Sequence, residues 1–277
     1  SHVLYLLADC ISDKFTDEDT FVGLIDMLFK TFLSPNASDF AFEKTVFERE
    51  KKKLADEIKS VINDKTSYAM LRCTEEMCKN EPFGVRNYGY VEDLEAITAE
   101  SLYEYYVQLL QNNPIDILVV GNANCKEIYK MANTAFAKIA SSKREYAKTE
   151  TAKSGEVKYI RDKENVTQGK LVMGYRINSD ITGDDYYSAL VFNAIFGAGT
   201  TSKLFMNVRE KESLCYYASS KLDRQKSLMF VQSGIEFENY DKALTGINRE
   251  FSAIQNGDIS DFEFQGAVLA LENAFLS

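Results

Sequence analysis

Arg209 and Tyr216 are the two residues of this chain whose types and placing best suit chemistry on a ligand. The stretch from Gly197 to Ser220 opens with a glycine turn and continues as a short helix with Leu204, Phe205 and Val208 at helical spacing. It ends in an alternating aromatic and small-residue run that reads as a strand. Arg209 closes that helix and Tyr216 opens that strand. A permanently charged five-donor fork then lies near a phenol, a pairing able to grip a peptide carbonyl or an oxyanion. Taken singly, each residue has a plainer use, the arginine as a cap of the helix C-terminus and the tyrosine as core filling. Strand alternation sends Tyr216 and Tyr217 to opposite sides, so one of them is free to look outward. Gly197 and Gly199 followed by Lys203 do not make a phosphate loop, because Ser202 stands where that motif needs glycine before the lysine.

A second candidate pair is Glu50 and Glu57. Both fall on or beside the apolar stripe Phe47, Leu54, Ile58, Val61 of one predicted long helix. Two helical turns separate them, about 10.5 Å at helical rise, so they can face one cavity but hardly ligate one metal ion together. Lys51, Lys53 and Lys59 also allow a solvated, charge-rich helix with i,i+4 pairs. The chain has one histidine, His2. Ser-His-Asp, interior Cys-His and two-His zinc sites therefore cannot be built within these residues. The five cysteines are an odd number spread along the chain, which fits buried thiols in a reducing compartment, with the cytoplasm as the expected location.

Ser202 to Tyr216, read as S-K-L-F-x-x-V-R-E-K-x-x-L-x-Y, resembles the second-domain signature of the insulinase (pitrilysin-like) zinc metallopeptidase family. The resemblance implies that Arg209 and Tyr216 reach across a closed chamber to the substrate backbone. It also places Glu57 at the position of the family's third zinc ligand and Glu50 at the second acidic position, which is not a direct ligand. The family's H-x-x-E-H motif occurs nowhere in the chain and would belong to a segment preceding Ser1. No catalytic residue is therefore expected here, and no cofactor, zinc entering only if the full-length protein carries that motif. Asn63 to Gly84, with the wording N-D-K-x-x-Y-A-x-x-R-x-x-E-E-M-x-x-N-E-P-F-G, looks most like a bacterial branch of non-peptidase homologues that occur with a second family member.

The elements that must position these residues follow from patterning. Extended apolar runs predict strands at His2 to Cys10, Pro114 to Val120, Val157 to Arg161, Gly169 to Ile177, Tyr216 to Lys221 and Leu228 to Ile235. Helices are expected over Thr20 to Leu33, from Ser38 or Asp39 through Ile62, within Asn63 to Gly84 up to a Pro-Gly exit, after Thr98 and Asn124 as N-caps, after Asp184 or Asp185, over Asn239 to Ile254, and after a Ser260/Glu263 capping box. The resemblance implies an α+β fold of two similar domains, each a mostly antiparallel sheet covered by helices. On this reading residues 1–140 are the C-terminal part of the first domain, 141–156 a Lys-, Ser- and Thr-rich linker, and 157–277 the second, inactive-type domain, truncated at its C-terminus. The chain then reads as an interior piece of a protein of about 400 residues.

Composition bounds the function. The net charge of −10 and 45% hydrophobic residues fit a globular protein and argue against nucleic acid as the main partner. No long apolar run or signal-like start points to a membrane. The expected function is a non-catalytic peptidase homologue contributing a peptide-binding chamber wall, with a peptide or protein substrate. Its expected partner is a catalytic family member in a hetero-oligomer, or a second copy. The alternatives are a piece of an active zinc metalloendopeptidase with its motif upstream, and an assembly module without peptide chemistry.

Overall fold

The computed structural model describes residues 4–139, 152, 154–179, 181 and 183–276. In chain order its main elements are α1 (Thr20–Leu33), the short strands β1 (Ala37–Ser38) and β2 (Ala41–Phe42), α2 (Lys44–Ser60), α3 (Lys65–Met77), α4 (Ala99–Asn112), α5 (Cys125–Phe136) and β3 (Gly169–Arg176). Then come α6 (Asp185–Phe196), a π-helix (Leu204–Lys211), β4 (Cys215–Asp223), β5 (Leu228–Ile235), α7 (Tyr240–Gln255) and α8 (Asp261–Leu276). The class is α+β. The chain forms two compact units, Ser1–Lys59 with Asn87–Ala147, and Ser60–Arg86 with Lys148–Ser277.

The first unit is helical around an aromatic seam. Phe29 and Phe32 of α1 meet Phe136 of α5 at ring-centroid distances of 5.3 and 6.1 Å. Phe42, at the end of the β1–β2 hairpin, lies edge-on to Tyr103 and Tyr106 of α4. Tyr106 donates its hydroxyl to the carbonyl of Phe32 at 2.7 Å, which satisfies a polar tip inside an apolar contact. The helix starts follow their caps, Asp19 accepting from the Val22 amide and Thr98 with Ser101 closing a capping box. Helix α2 begins at Lys44 rather than near Ser38, because residues 37–42 close the hairpin first.

The second unit is built on an antiparallel sheet of order β3-β5-β4. The central strand β5 is almost entirely buried, and its composition, Leu-Met-Phe-Val with few polar residues, is that of a strand covered on both faces. On one face Met229 and Val231 join Phe196 of α6, Leu204 and Val208 of the π-helix, Ile247 of α7 and Ala267 of α8 in the main core. On the other, Leu228 and Phe230 pack with Cys78, Met77 and Phe83, so α3 and the turn after it cover that side. Arg176 at the end of β3 ties this layer down, donating to the Met77 carbonyl at 2.8 Å and pairing with the Glu81 carboxylate.

Three expected strands are not formed. Residues 4–10, 114–120 and 157–161 run outside any ladder, and Leu118 and Val120 are 90% and 99% exposed. Their patterning is that of strands, yet a strand exists only where a neighbour takes its amides and carbonyls. Among the described residues none does so. The expected His2 start and most of the expected linker 141–156 lie outside the described residues.

Candidate functional site

The π-helix, the end of β4 and the end of β5 together position Arg209 and Tyr216. Leu204 and Val208 on one side of the π-helix are fully buried, which fixes its roll and leaves Phe205 and Arg209 on a less buried side. The wider i→i−5 bonding appears where the amide of Glu212 donates to the carbonyl of Asn207. Ser202 opens the helix by accepting from the Phe205 amide at 3.4 Å. Gly197 lets the preceding turn sit on β4. A Cβ there would lie 2.7 Å from the amide nitrogen of Ser220, which donates to the Gly197 carbonyl at 3.0 Å.

At the start of β4 the register breaks. Cys215 stands opposite Ile235 and Tyr217 opposite Gly234, so Tyr216 has no partner on β5 and occupies a β-bulge. The expected strict alternation of Tyr216 and Tyr217 therefore fails here. The ring of Tyr217 lies on Gly234, where any Cβ would meet it at 2.5 Å, and the Lys170 ammonium sits 5.4 Å from its centroid. Tyr216 remains 55% exposed, and its hydroxyl donates to Glu236 just past β5. Nearby, the Lys170 ammonium donates to Oε1 of Gln168. Hydrogen bonding to Glu236, and then its charge, hold the Tyr216 phenol above its usual range.

Arg209 meets Tyr216 through the backbone. Its Nε donates to the Tyr216 carbonyl at 2.9 Å, its Nη1 pairs with Glu210 at 2.9 Å, and its guanidinium lies 4.6 Å from the Phe205 ring centroid. The two residues selected by spacing are thus in direct contact, the arginine fixing the bulged carbonyl while part of its fork stays accessible. Sequence reasoning missed Glu236, which approaches Tyr216 only because β4 and β5 bring their ends together. On the opposite side of the π-helix an open cavity of about 340 Å³ is lined by Lys203, Asn207, Glu212, Arg249 and Glu250 among others. Its charges are largely matched internally: Asn207 donates to buried Glu250 at 2.7 Å, and Arg249 bridges Glu212 and Glu250.

The glutamates of α2 are placed differently. Glu50 accepts from Nε of Arg49 at 2.9 Å, Glu57 lies 3.8 Å from the Lys53 ammonium, and their side chains are 52% and 51% exposed. Among the described residues no three His, Cys, Asp or Glu side chains gather as a metal could use them. The donors present do not fit a protein zinc site, which takes at least three nitrogen, sulfur or carboxylate ligands at about 2 Å.

Comparison with known proteins bears on this geometry. The family described as peptidase M16 inactive domain matches residues 96–271. A protein of Bacillus subtilis (strain 168) named "Probable inactive metalloprotease YmfF" is 34% identical over 278 residues, covering 99% of this chain and 65% of that protein. The crystal structure of a conserved protein from Enterococcus faecalis V583 superposes with a TM-score of 0.84 at 30% identity, covering 96% of this chain and 63% of the other. A peptidase M16 inactive domain from Pseudomonas fluorescens has the same fold at a TM-score of 0.69 and 16% identity, with 94% and 62% of the two chains covered. The chain thus spans about two thirds of the length of these relatives.

Proposed function

The chain belongs to the peptidase M16 family through its inactive domain, and from that membership we propose that it holds an extended peptide without cleaving it. It is an inactive-type homologue of these metallopeptidases. The observation that carries the peptide-holding reading is the contact of Arg209 with the bulged Tyr216 carbonyl at 2.9 Å, while the Tyr216 side chain stays half-exposed. Such a pair matches the alternating donors and acceptors of a peptide backbone. The match to the inactive domain and to a relative named a probable inactive metalloprotease supports the non-catalytic part of the reading.

In this proposal the chain forms one wall of a peptide chamber, with residues 1–140 as part of a first domain, 141–156 as linker and 157–277 as the second domain. A catalytic family member or a second copy completes the chamber, and the cytoplasm is the expected setting. No helix of the described residues is long and apolar enough to cross a membrane. The test is fluorescence anisotropy with labelled, unstructured ten-residue peptides. Arg209→Ala and Tyr216→Phe are each expected to weaken binding about fivefold or more. In parallel, the wild-type chain with added zinc should leave casein intact. Zinc-dependent cleavage that disappears in Glu57→Ala would overturn the non-catalytic reading.

A further inference from the structure

The hydrogen bond between Tyr216 and Glu236 runs in one direction. An ionised carboxylate can only accept, so the bond between Tyr216 and Glu236 takes the phenol's single proton. Toward anything outside, the exposed phenol then offers a lone pair and no proton. Arg209 beside it offers only N–H groups, two of its nitrogens already serving the Tyr216 carbonyl and Glu210.

We propose, on the peptide-holding reading above, that Tyr216 accepts a hydrogen bond from a backbone N–H of the bound peptide while Arg209 donates to a carbonyl. Glu236 is the positioning residue that imposes this polarity. The ligand class is a neutral, extended peptide backbone with a free N–H at that point. An oxyanion, which needs donors from both residues, is poorly matched, in keeping with a site that holds peptides rather than one that stabilises a tetrahedral intermediate.

The experiment uses one of the labelled ten-residue peptides and a series in which each backbone amide in turn is replaced by an ester, deleting one N–H. Wild-type chain is expected to show one position where the ester weakens binding by about fivefold or more. Tyr216→Phe, which removes the accepting oxygen, should abolish that positional loss. Glu236→Ala frees the phenol proton and should shrink it below about twofold, whereas Glu236→Gln, whose amide oxygen still accepts, should keep it. Circular dichroism confirms that these exposed-site variants stay folded. If the parent peptide binds and Arg209→Ala weakens it, yet no ester position depends on Tyr216 and Glu236, the polarity is wrong and the peptide-holding reading stands. If no peptide binds, or Arg209→Ala and Tyr216→Phe leave binding unchanged, both fall together.

Discussion

Replacing Arg209 by alanine should loosen the bulged start of β4 as well as weaken ligand binding. Three interactions are lost: the charge-assisted bond from Nε to the Tyr216 carbonyl at 2.9 Å, the guanidinium contact with the Phe205 ring at 4.6 Å, and the ion pair with Glu210 at 2.9 Å. The arginine side chain is 36% exposed, so solvent discounts each. The bond to the carbonyl contributes about 1 kcal/mol net, the cation–π contact about 0.5 kcal/mol and the surface ion pair at most about 0.5 kcal/mol. The sum, about 1.5 to 2 kcal/mol, exceeds the roughly 0.5 kcal/mol of an ordinary surface change. The two compact units need not unfold together, so the assay is local: amide hydrogen exchange by mass spectrometry on peptides covering 215–223 and 228–235. Exchange at the start of β4 should accelerate about tenfold or more. Arg209→Lys should recover less than half, because an ammonium cannot reproduce the planar fork over a ring and a carbonyl together. Unchanged protection in both variants would show that the contact does not hold the bulge, and a loss above about 4 kcal/mol would point to a core role.

Gly197→Ala should shift the turn off β4. Its Cβ would fall 2.7 Å from the Ser220 nitrogen and 2.8 Å from the Leu204 Cδ1, so a loss of about 1 to 3 kcal/mol is expected, with faster exchange of the Ser220 amide; wild-type exchange there would refute the close approach. The cysteines should react in two classes with a thiol reagent at pH 8. Exposed Cys10 and Cys125 should label at once, whereas Cys73, pushed up to about 11 chiefly by burial, is about one part in a thousand thiolate at that pH. Fully buried Cys78 should likewise wait for urea, and rapid labelling of either would show that α3 does not pack on the sheet.

Several helices were legible because they announce themselves twice, by an apolar stripe and by a cap. Thr98, Asn124 and the Ser260/Glu263 pair all cap as their types and spacing predict. Strands were legible only in the second unit. Leu171, Met229 and Val231 read as strand and are strand, but so do Leu118 and Val120, which are not. The difference lies in a neighbour far away in sequence, which a local pattern cannot contain. Nor does the pattern tell that Met70, Cys73 and Met77 of α3 cover the face of Leu228 and Phe230, since an amphipathic helix records that it is covered but not by what.

At the candidate site, the motif pointed to two residues that the structure brings into contact and missed the geometry that relates them. A helix of ordinary pitch followed by a regular strand would set Tyr216 in alternation with Tyr217. The actual elements depart from both regularities, a π-helix before the turn and a bulge after it. Such irregularities have no composition of their own, and they lie where Arg209 must reach the Tyr216 carbonyl. Glu236 is the sharper case. It stands in an acidic, exposed stretch with Glu238 and Asp241 that reads as plain surface, yet its carboxylate decides whether the phenol of Tyr216 faces a ligand as donor or acceptor. The chemistry of this site therefore rests less on which residues the motif retains than on which neighbour receives one proton.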